Sequence, residues 1–365
     1  MELTKCKLGE LITQRREKND GSDLPICGVS KDGLIPPKQK DADTSIYNVF
    51  YRDDFIFNPA RMELNSIAIN DMYDRAICSS LYEVFYVHRT DLLLPHYLKL
   101  IIRQKWFTRY CEFLGQGSAR EYCRFGYISE IEIEFPPIEE QQKIVDYNTA
   151  IENRIALKQK INDNLLDSVQ AIFRSWFVDY DPFDGVCPSN WETGCVEDIA
   201  EFFDSMRKPL SSLERTDMER IYPYYGAVSI VDYVDDYIFD GEYLLVSEDG
   251  IYVVDENGHP LIQHISGKFW ANNHAHILKG KSGFNEDSLY LFLANTNMAP
   301  IVTGAAQPKI NQANLKSFPI TIPDSETMLK FNNIIQPFFD QRLTNESEIK
   351  KLEALQSLLL TRLVD

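Results

Sequence analysis

Residues 144–176 read IVDYNTAIENRIALKQKINDNLLDSVQAIFRSW, and residues 331–363 read FNNIIQPFFDQRLTNESEIKKLEALQSLLLTRL. Neither stretch contains glycine, and the two lie 187 residues apart. Both carry one heptad. In the first, positions 144, 151, 158, 165 and 172 are Ile, Ile, Lys, Leu and Ile, and positions 148, 155, 162, 169 and 176 are Asn, Ile, Asn, Val and Trp. Adding 187 gives Phe331, Phe338, Asn345, Leu352 and Leu359, then Ile335, Arg342, Ile349, Gln356 and Leu363. Seven of ten seam positions are apolar in each stretch, the pattern of a coiled-coil stripe. The polar members, Asn148, Lys158 and Asn162 against Arg342, Asn345 and Gln356, are of the kind that fixes register rather than adding stability. The first helix is expected to start after Pro136-Pro137. The second is expected after Pro323-Asp324, with Asp324 or Ser325 as its cap. Pro337 is expected to kink the second helix or delay its start.

The repeat extends outward from these helices. Gly117-Ser118-Ala119-Arg120 lines up with Gly304-Ala305-Ala306-Gln307, and Ile133-Glu134-Phe135-Pro136 with Ile320-Thr321-Ile322-Pro323, both at an offset of 187. Leu8-Gly9-Glu10-Leu11 lines up with Val196-Glu197-Asp198-Ile199, and Phe55-Ile56-Phe57 with Tyr243-Leu244-Leu245, both at 188. Four pairings in one order at nearly one offset indicate a duplicated unit. The fold class is α+β (mixed α/β). Two globular domains, residues 1–136 and 181–322, are separated by two long antiparallel helices, residues 137–180 and 323–365, in a pseudo-two-fold repeat. Short β-like runs such as Leu81 to Val87 and a helical run from Pro95 to Cys111 fill the first domain.

Apolar residues make up 44% of the chain, enough for well-buried cores. No run approaches the ~20 apolar residues of a membrane span, and Met1 to Glu10 has no signal-peptide character. These features lead to an expectation of a cytoplasmic protein without a membrane partner. Seven cysteines without a CxxC pair read as free thiols rather than a disulfide framework or zinc ribbon. The net charge is −18, concentrated in residues 181–322, which hold 9 basic and 21 acidic residues.

The stretch from Phe135-Pro136-Pro137-Ile138 through Lys143-Ile144 resembles the entry into the central region of type I restriction–modification DNA-specificity subunits. So do Ile155 to Asn162, Gln170 through Trp176-Phe177-Val178-Asp179-Tyr180-Asp181-Pro182-Phe183, and Leu352 to Leu360. The resemblance implies two target-recognition domains, each reading one half of a bipartite site on double-stranded DNA. It implies that the helices set the gap and dock two methyltransferase subunits, with S-adenosylmethionine bound on those partners and no cofactor on this chain. Restriction or translocase subunits are further implied partners, and the chain itself is not an enzyme. A 40-residue helix of ~60 Å exceeds one DNA turn of ~34–36 Å.

The residues agree with a non-catalytic chain. No Asn/Asp-Pro-Pro-aromatic motif, Gly-rich cofactor loop or GxxxxGK[ST] loop is present; Asn58-Pro59-Ala60-Arg61 and Asp181-Pro182-Phe183 are the nearest strings. His274 and His276 share one face of an expected strand, without a third ligand nearby in sequence, so no metal is assigned. For DNA, Lys99, Arg103, Lys105 and Arg109 recur at helical spacing among Trp106, Phe107 and Tyr110, with Arg120 and Arg124 following. They suit phosphates and base edges, or equally a solvated face over an aromatic core. The loops with Gly117 and Ser118 and with Gly304, Gln307 and Lys309 offer close backbone approach to a duplex, or a turn the fold requires. The cluster Asp232, Asp235, Asp236, Asp240, Glu242, Glu248, Asp249, Asp255 and Glu256 should point away from DNA or toward a partner. The alternative from another class is an acidic coiled-coil scaffold or DNA mimic, which the charge favours and the duplicated layout disfavours.

Overall fold

The computed structural model describes residues 3–31, 33–37, 43–115, 123–251, 253–304 and 306–361. The chain divides into two compact units, residues 1–158 with 348–365, and residues 159–347. Each unit therefore takes in part of both long helices. Among the described residues, no helix is long and apolar enough to cross a membrane.

In the first unit the strands are β1 (Thr4–Lys7), β2 (Ile12–Arg15), β3 (Ile26–Ser30), β4 (Gly33–Ile35), β5 (Asn48–Tyr51), β6 (Phe55–Phe57), β7 (Ile67–Ile69), β8 (Arg75–Cys78), β9 (Glu83–Val87) and β10 (Glu132–Phe135). The helices are α1 (Pro95–Ile102), α2 (Lys105–Gly115), α3 (Phe125–Ser129) and the start of α4 (Ile138–Phe177). Two four-stranded sheets form, in the orders β2-β9-β6-β7 and β4-β3-β8-β5, and β1 pairs with β10. Strand β6 is buried on both faces, which is why it is wholly apolar. Phe55 and Phe57 join the cluster of Phe85, Tyr97 and Phe107, while Ile56 joins that of Phe50 and Val84. The Phe55 and Phe85 rings stack at 5.0 Å, and each buried Phe contributes about 1.5–3 kcal/mol.

In the second unit β11 (Glu192–Cys195), β12 (Ala200–Phe202), β13 (Tyr222–Tyr225), β14 (Ile230–Val234), β15 (Phe239–Ser247), β16 (Ile262–Ala271), β17 (Ala275–Gly280) and β18 (Pro319–Ile322) are joined by α5 (Val196–Ile199), α6 (Ser212–Thr216), α7 (Glu286–Ala294) and α8 (Gln312–Lys316) before α9 (Ser325–Thr361). One six-stranded sheet runs β12-β17-β15-β16-β13-β14, and β11 pairs with β18.

The duplication is visible in the hydrogen bonds. Thr4 faces Phe135 across β1–β10, and Glu192 faces Ile322 across β11–β18, shifts of 188 and 187. Both clasps then turn into a short helix held the same way. The N–H of Lys7 donates to Glu10 Oε1 at 3.1 Å, and that of Cys195 to Asp198 Oδ2 at 2.8 Å. One pairing is corrected by register. Phe55 faces Phe85 while Leu244 faces Leu278, and Ile12 facing Val87 matches Ala200 facing Gly280. Phe55 thus corresponds to Leu244, not Tyr243. A one-residue slip reverses strand faces, and the core confirms the shift: Leu244 and Val246 join the cluster that meets the helices, whereas Tyr243 and Leu245 lie in another.

All described seam positions of both helices are buried or half-buried, while neighbours such as Arg154, Lys160 and Asn164 are exposed. Four of the six polar seam residues meet one another, while Lys158 meets Glu348 and Arg342 meets Glu346. In the first unit Gln356 Nε2 donates to Asn148 Oδ1 at 3.1 Å, and Glu348 accepts from Arg154 Nε at 2.6 Å and Lys158 Nζ at 2.8 Å. In the second, Asn345 Nδ2 donates to Asn162 Oδ1 at 2.7 Å. The second unit also packs Phe173 against Phe331 at 6.3 Å, so partner numbers fall as helix numbers rise and the pairing in each unit is antiparallel. Leu363 lies outside the described residues. Asp324 caps α9, its Oδ1 accepting from the N–H groups of Glu326 and Thr327, each at 3.1 Å. Pro337 neither delays nor ends α9. It stands on the exposed face, where the carbonyl it leaves unbonded meets water.

Candidate nucleic-acid interface

The helical run from Pro95 is two helices. Asn65, in the left-handed conformation at φ 51°, donates from Nδ2 to the Ile102 carbonyl at 3.0 Å and to Thr108 Oγ1 at 3.2 Å. One side chain thereby ends α1 and seats α2. The break separates the cations that sequence spacing had grouped. Lys99 is drawn inward, 3.9 Å from both Asp71 and Glu152 carboxylates, and ties α1 to α4. Arg103 is half-buried at the joint. On α2, Phe107 and Cys111 sink into the core, and Lys105 and Arg109, one turn apart, project outward. Neither has a carboxylate partner among the described residues. Phe113, 74% exposed, extends the same helix. Arg124 pairs with Glu83 at 3.0 Å. That carboxylate also accepts the Phe125 N–H, so Arg124 braces the start of α3. Gly117, Ser118 and Arg120 lie outside the described residues.

In the second unit the Gly304 segment is a hairpin closed by Thr303 and Lys309, whose N–H and carbonyl groups exchange bonds of 2.8 Å. Gly304 has φ 85°, and a Cβ there would stand 2.3 Å from the Gln307 carbonyl oxygen. The turn itself requires the glycine. Gln307 is exposed on the hairpin. Lys309 is a strut: its ammonium lies 2.9 Å from Glu248 Oε1.

Beneath the hairpin lies a network that no sequence spacing announced. His276 is sealed from solvent, with Nδ1 2.7 Å from Asp204 Oδ2 and Nε2 2.8 Å from the Ile310 carbonyl. Arg207 bridges Glu248 at 2.6 Å and Asp204 at 3.3 Å. Burial works to raise the Asp204 carboxyl, but His276, the Ile277 N–H and Arg207 hold it below its ordinary value. The ligand atoms of Asp204, Glu248 and His276 lie within 4.8 Å of one another, a set with metal-binding chemistry. Here both imidazole nitrogens already face oxygen acceptors and two cations neutralise the carboxylates. The group is an ion-pair network that anchors the hairpin. His274 is apart from it, 2.6 Å from Asp249.

The acidic cluster disperses in the same way. Asp232 is held by Arg215 at 2.6 Å, and Glu248 and Asp249 are engaged as described. Asp235, Asp236 and Asp240 remain exposed.

Each unit is thus an α+β body clasped by one antiparallel strand pair and joined to antiparallel helix. The family model for the type I restriction modification DNA specificity domain matches residues 6–167 and again 188–355, and the chain belongs to that family. A type I specificity-subunit relative from Haemophilus influenzae is 39% identical over 128 residues, 35% of this chain and 32% of that protein. The MjaIX specificity subunit of Methanocaldococcus jannaschii is 23% identical over 299 residues, 75% of this chain and 69% of that one. The match thus spans about a third of the first relative's length and two thirds of the second's. The crystal structure of the type I restriction–modification S subunit from M. genitalium covers 99% of this chain and is itself covered to 96%, with a TM-score of 0.61 at 14% identity, a likeness of fold.

Proposed function

We propose that this chain is the DNA-reading subunit of a type I restriction–modification complex and that its two units each recognise one half of a split site. It acts in the cytoplasm on double-stranded DNA and carries no catalytic centre. S-adenosylmethionine belongs to partner methyltransferase subunits, two per chain, and cleavage belongs to restriction subunits. The observation that carries the reading is the tandem specificity domain itself. The pair Lys105 and Arg109, without a carboxylate partner among the described residues, supports it: in a chain of net charge −18, two outward cations one helical turn apart are suited to phosphates. Gln307, exposed on its braced hairpin, has the amide geometry that pairs with adenine.

The test is a genome-wide map of N6-methyladenine in cells that hold the partner methyltransferase, with and without this chain. A split motif that appears only with the chain is expected. An active methyltransferase that yields no new motif with the chain present overturns the reading.

A further inference from the structure

At the end of α4 the second unit holds an aromatic-walled cavity of about 170 Å³. Its walls are Phe173, Phe177, Tyr180, Trp191 and Phe292. Phe177 packs 5.6 Å from Trp191 and 4.7 Å from Phe292, and Tyr180 lies 5.9 Å from Trp191 (ring centroids). A cavity of about 150 Å³ holds a benzene ring, so this one accommodates a planar group with part of a stem.

Its polar lining includes the hydroxyls of Tyr180, Thr296 and Thr321 and the amide of Asn295, and the Thr296 hydroxyl already donates to the Phe292 carbonyl at 2.6 Å. The Trp191 Nε1–H donates to Asp324 Oδ2 at 3.2 Å, which increases electron density on the indole face. Asn295, on the cavity wall, commits its amide nitrogen to Gln170 Oε1 at 2.7 Å and the Leu291 carbonyl at 2.8 Å, so its oxygen is the end left to accept. Asp181 and Asp184 flank Phe183 in sequence, whose ring packs 5.3 Å from Trp191; both are exposed and without an ion-pair partner among the described residues, and Asp181 Oδ2 accepts from Ser175 Oγ at 2.8 Å. Nearby Asp179 is partly neutralised by Arg174 at 3.2 Å. An apolar guest would gain nothing from these groups. A cation gains from the aromatic faces, the acceptor and the surrounding field.

We propose that this pocket takes the guanidinium tip of an arginine from a partner protein. The proposal is independent of how the units read DNA.

The test uses the full chain labelled with 15N at tryptophan, whose four indole signals come from Trp106, Trp176, Trp191 and Trp270; the Trp191→Phe variant assigns the relevant one. N-acetylarginine amide should shift the Trp191 signal saturably and leave Trp106 and Trp270 in place. Its neutral isostere, N-acetylcitrulline amide, should bind about five-fold more weakly or not at all. The Asp181→Asn/Asp184→Asn variant should keep its Trp106 and Trp270 signals and weaken arginine binding several-fold. Equal binding of the two amides, a shift that never saturates, or full affinity in the aspartate variant overturns the proposal.

Discussion

Asn345, 1% exposed, donates to Asn162 Oδ1 at 2.7 Å, and its own Oδ1 accepts from Gln341 at 2.9 Å. The bond joins α4 to α9 inside the second unit. Replacing Asn345 by Leu leaves Asn162 buried without its partner, at a cost of about 1–3 kcal/mol. The Asn162→Leu/Asn345→Leu pair should recover that loss or exceed the parent in stability while relaxing register. Urea unfolding checks both. An Asn345→Leu variant as stable as the parent would mean that the bond contributes nothing.

Gln141 is fully buried at the start of α4. Its Nε2 donates to the Leu92 and Pro136 carbonyls at 2.7 and 2.8 Å, and its Oε1 accepts from the Leu94 N–H at 2.9 Å. Gln141→Leu should destabilise by about 2–4 kcal/mol, since three backbone groups lose a partner together. The corresponding position 187 residues on is Met328, buried in an apolar cluster. Met328→Gln should also destabilise, for the opposite reason: a buried amide without partners. Thermal melts of the two variants decide.

Asp287 and His264 face each other in the second unit, with 3.6 Å between Nδ1 and Oδ1. Burial, then Glu242, Asp340 and Glu286, push the Asp287 carboxyl up to about 7, against a hydrogen bond from Gln336. Burial and Arg342 push His264 down to about 4. Between pH ~4 and ~7 folded Asp287 keeps a proton that the unfolded chain has released, so its contribution falls as pH rises. Between ~4 and ~6.5 the unfolded histidine takes up a proton that folded His264 refuses, so its contribution falls as pH drops. The two slopes oppose each other below about pH 6.5. His264→Gln should therefore expose a steady loss of stability from pH ~4 to ~7, and Asp287→Asn a gain from ~4 to ~6.5 with a plateau above. Urea midpoints across that range check the signs; variant profiles parallel to the parent would exclude the assignment.

Lys105→Ala and Arg109→Ala should each weaken DNA binding evenly across sequences and flatten the dependence of log affinity on log salt by about 0.9. Gln307→Ala should leave the salt slope alone and relax discrimination at one base by about 1–3 kcal/mol. Gly304→Ala should act differently again, through distortion of the hairpin, because the new methyl would collide with the Gln307 carbonyl. Mobility shifts over a salt series with matched and mutated half-sites distinguish these three behaviours.

Helical periodicity carried much of the architecture. A seam residue must face the partner helix wherever it lies, so the heptad alone located Asn148, Lys158, Asn162, Arg342, Asn345 and Gln356 where the described structure buries or half-buries them. Strand register was less legible. Phe55-Ile56-Phe57 and Tyr243-Leu244-Leu245 are apolar throughout, and nothing in such a run tells one face from the other. Side-chain reach was not legible at all: Asn65 ending α1, Glu248 claiming Lys309 and Asp204 claiming His276 join residues 37 to 72 positions apart. The sequence signs of these roles are faint, amounting to an asparagine suited to positive φ and a histidine in an apolar strand.

The β1–β10 and β11–β18 clasps bring the entrance and exit of each body side by side. Whatever is inserted between adjacent antiparallel strands, about 5 Å apart, leaves the stems undisturbed. A body mounted in that way resembles a cartridge in a fixed socket. It can lengthen, change its fold or be replaced whole without re-engineering the helices, and the two sockets can hold unlike cartridges. The contrast between two four-stranded sheets in one unit and a single six-stranded sheet in the other is the mark of that freedom.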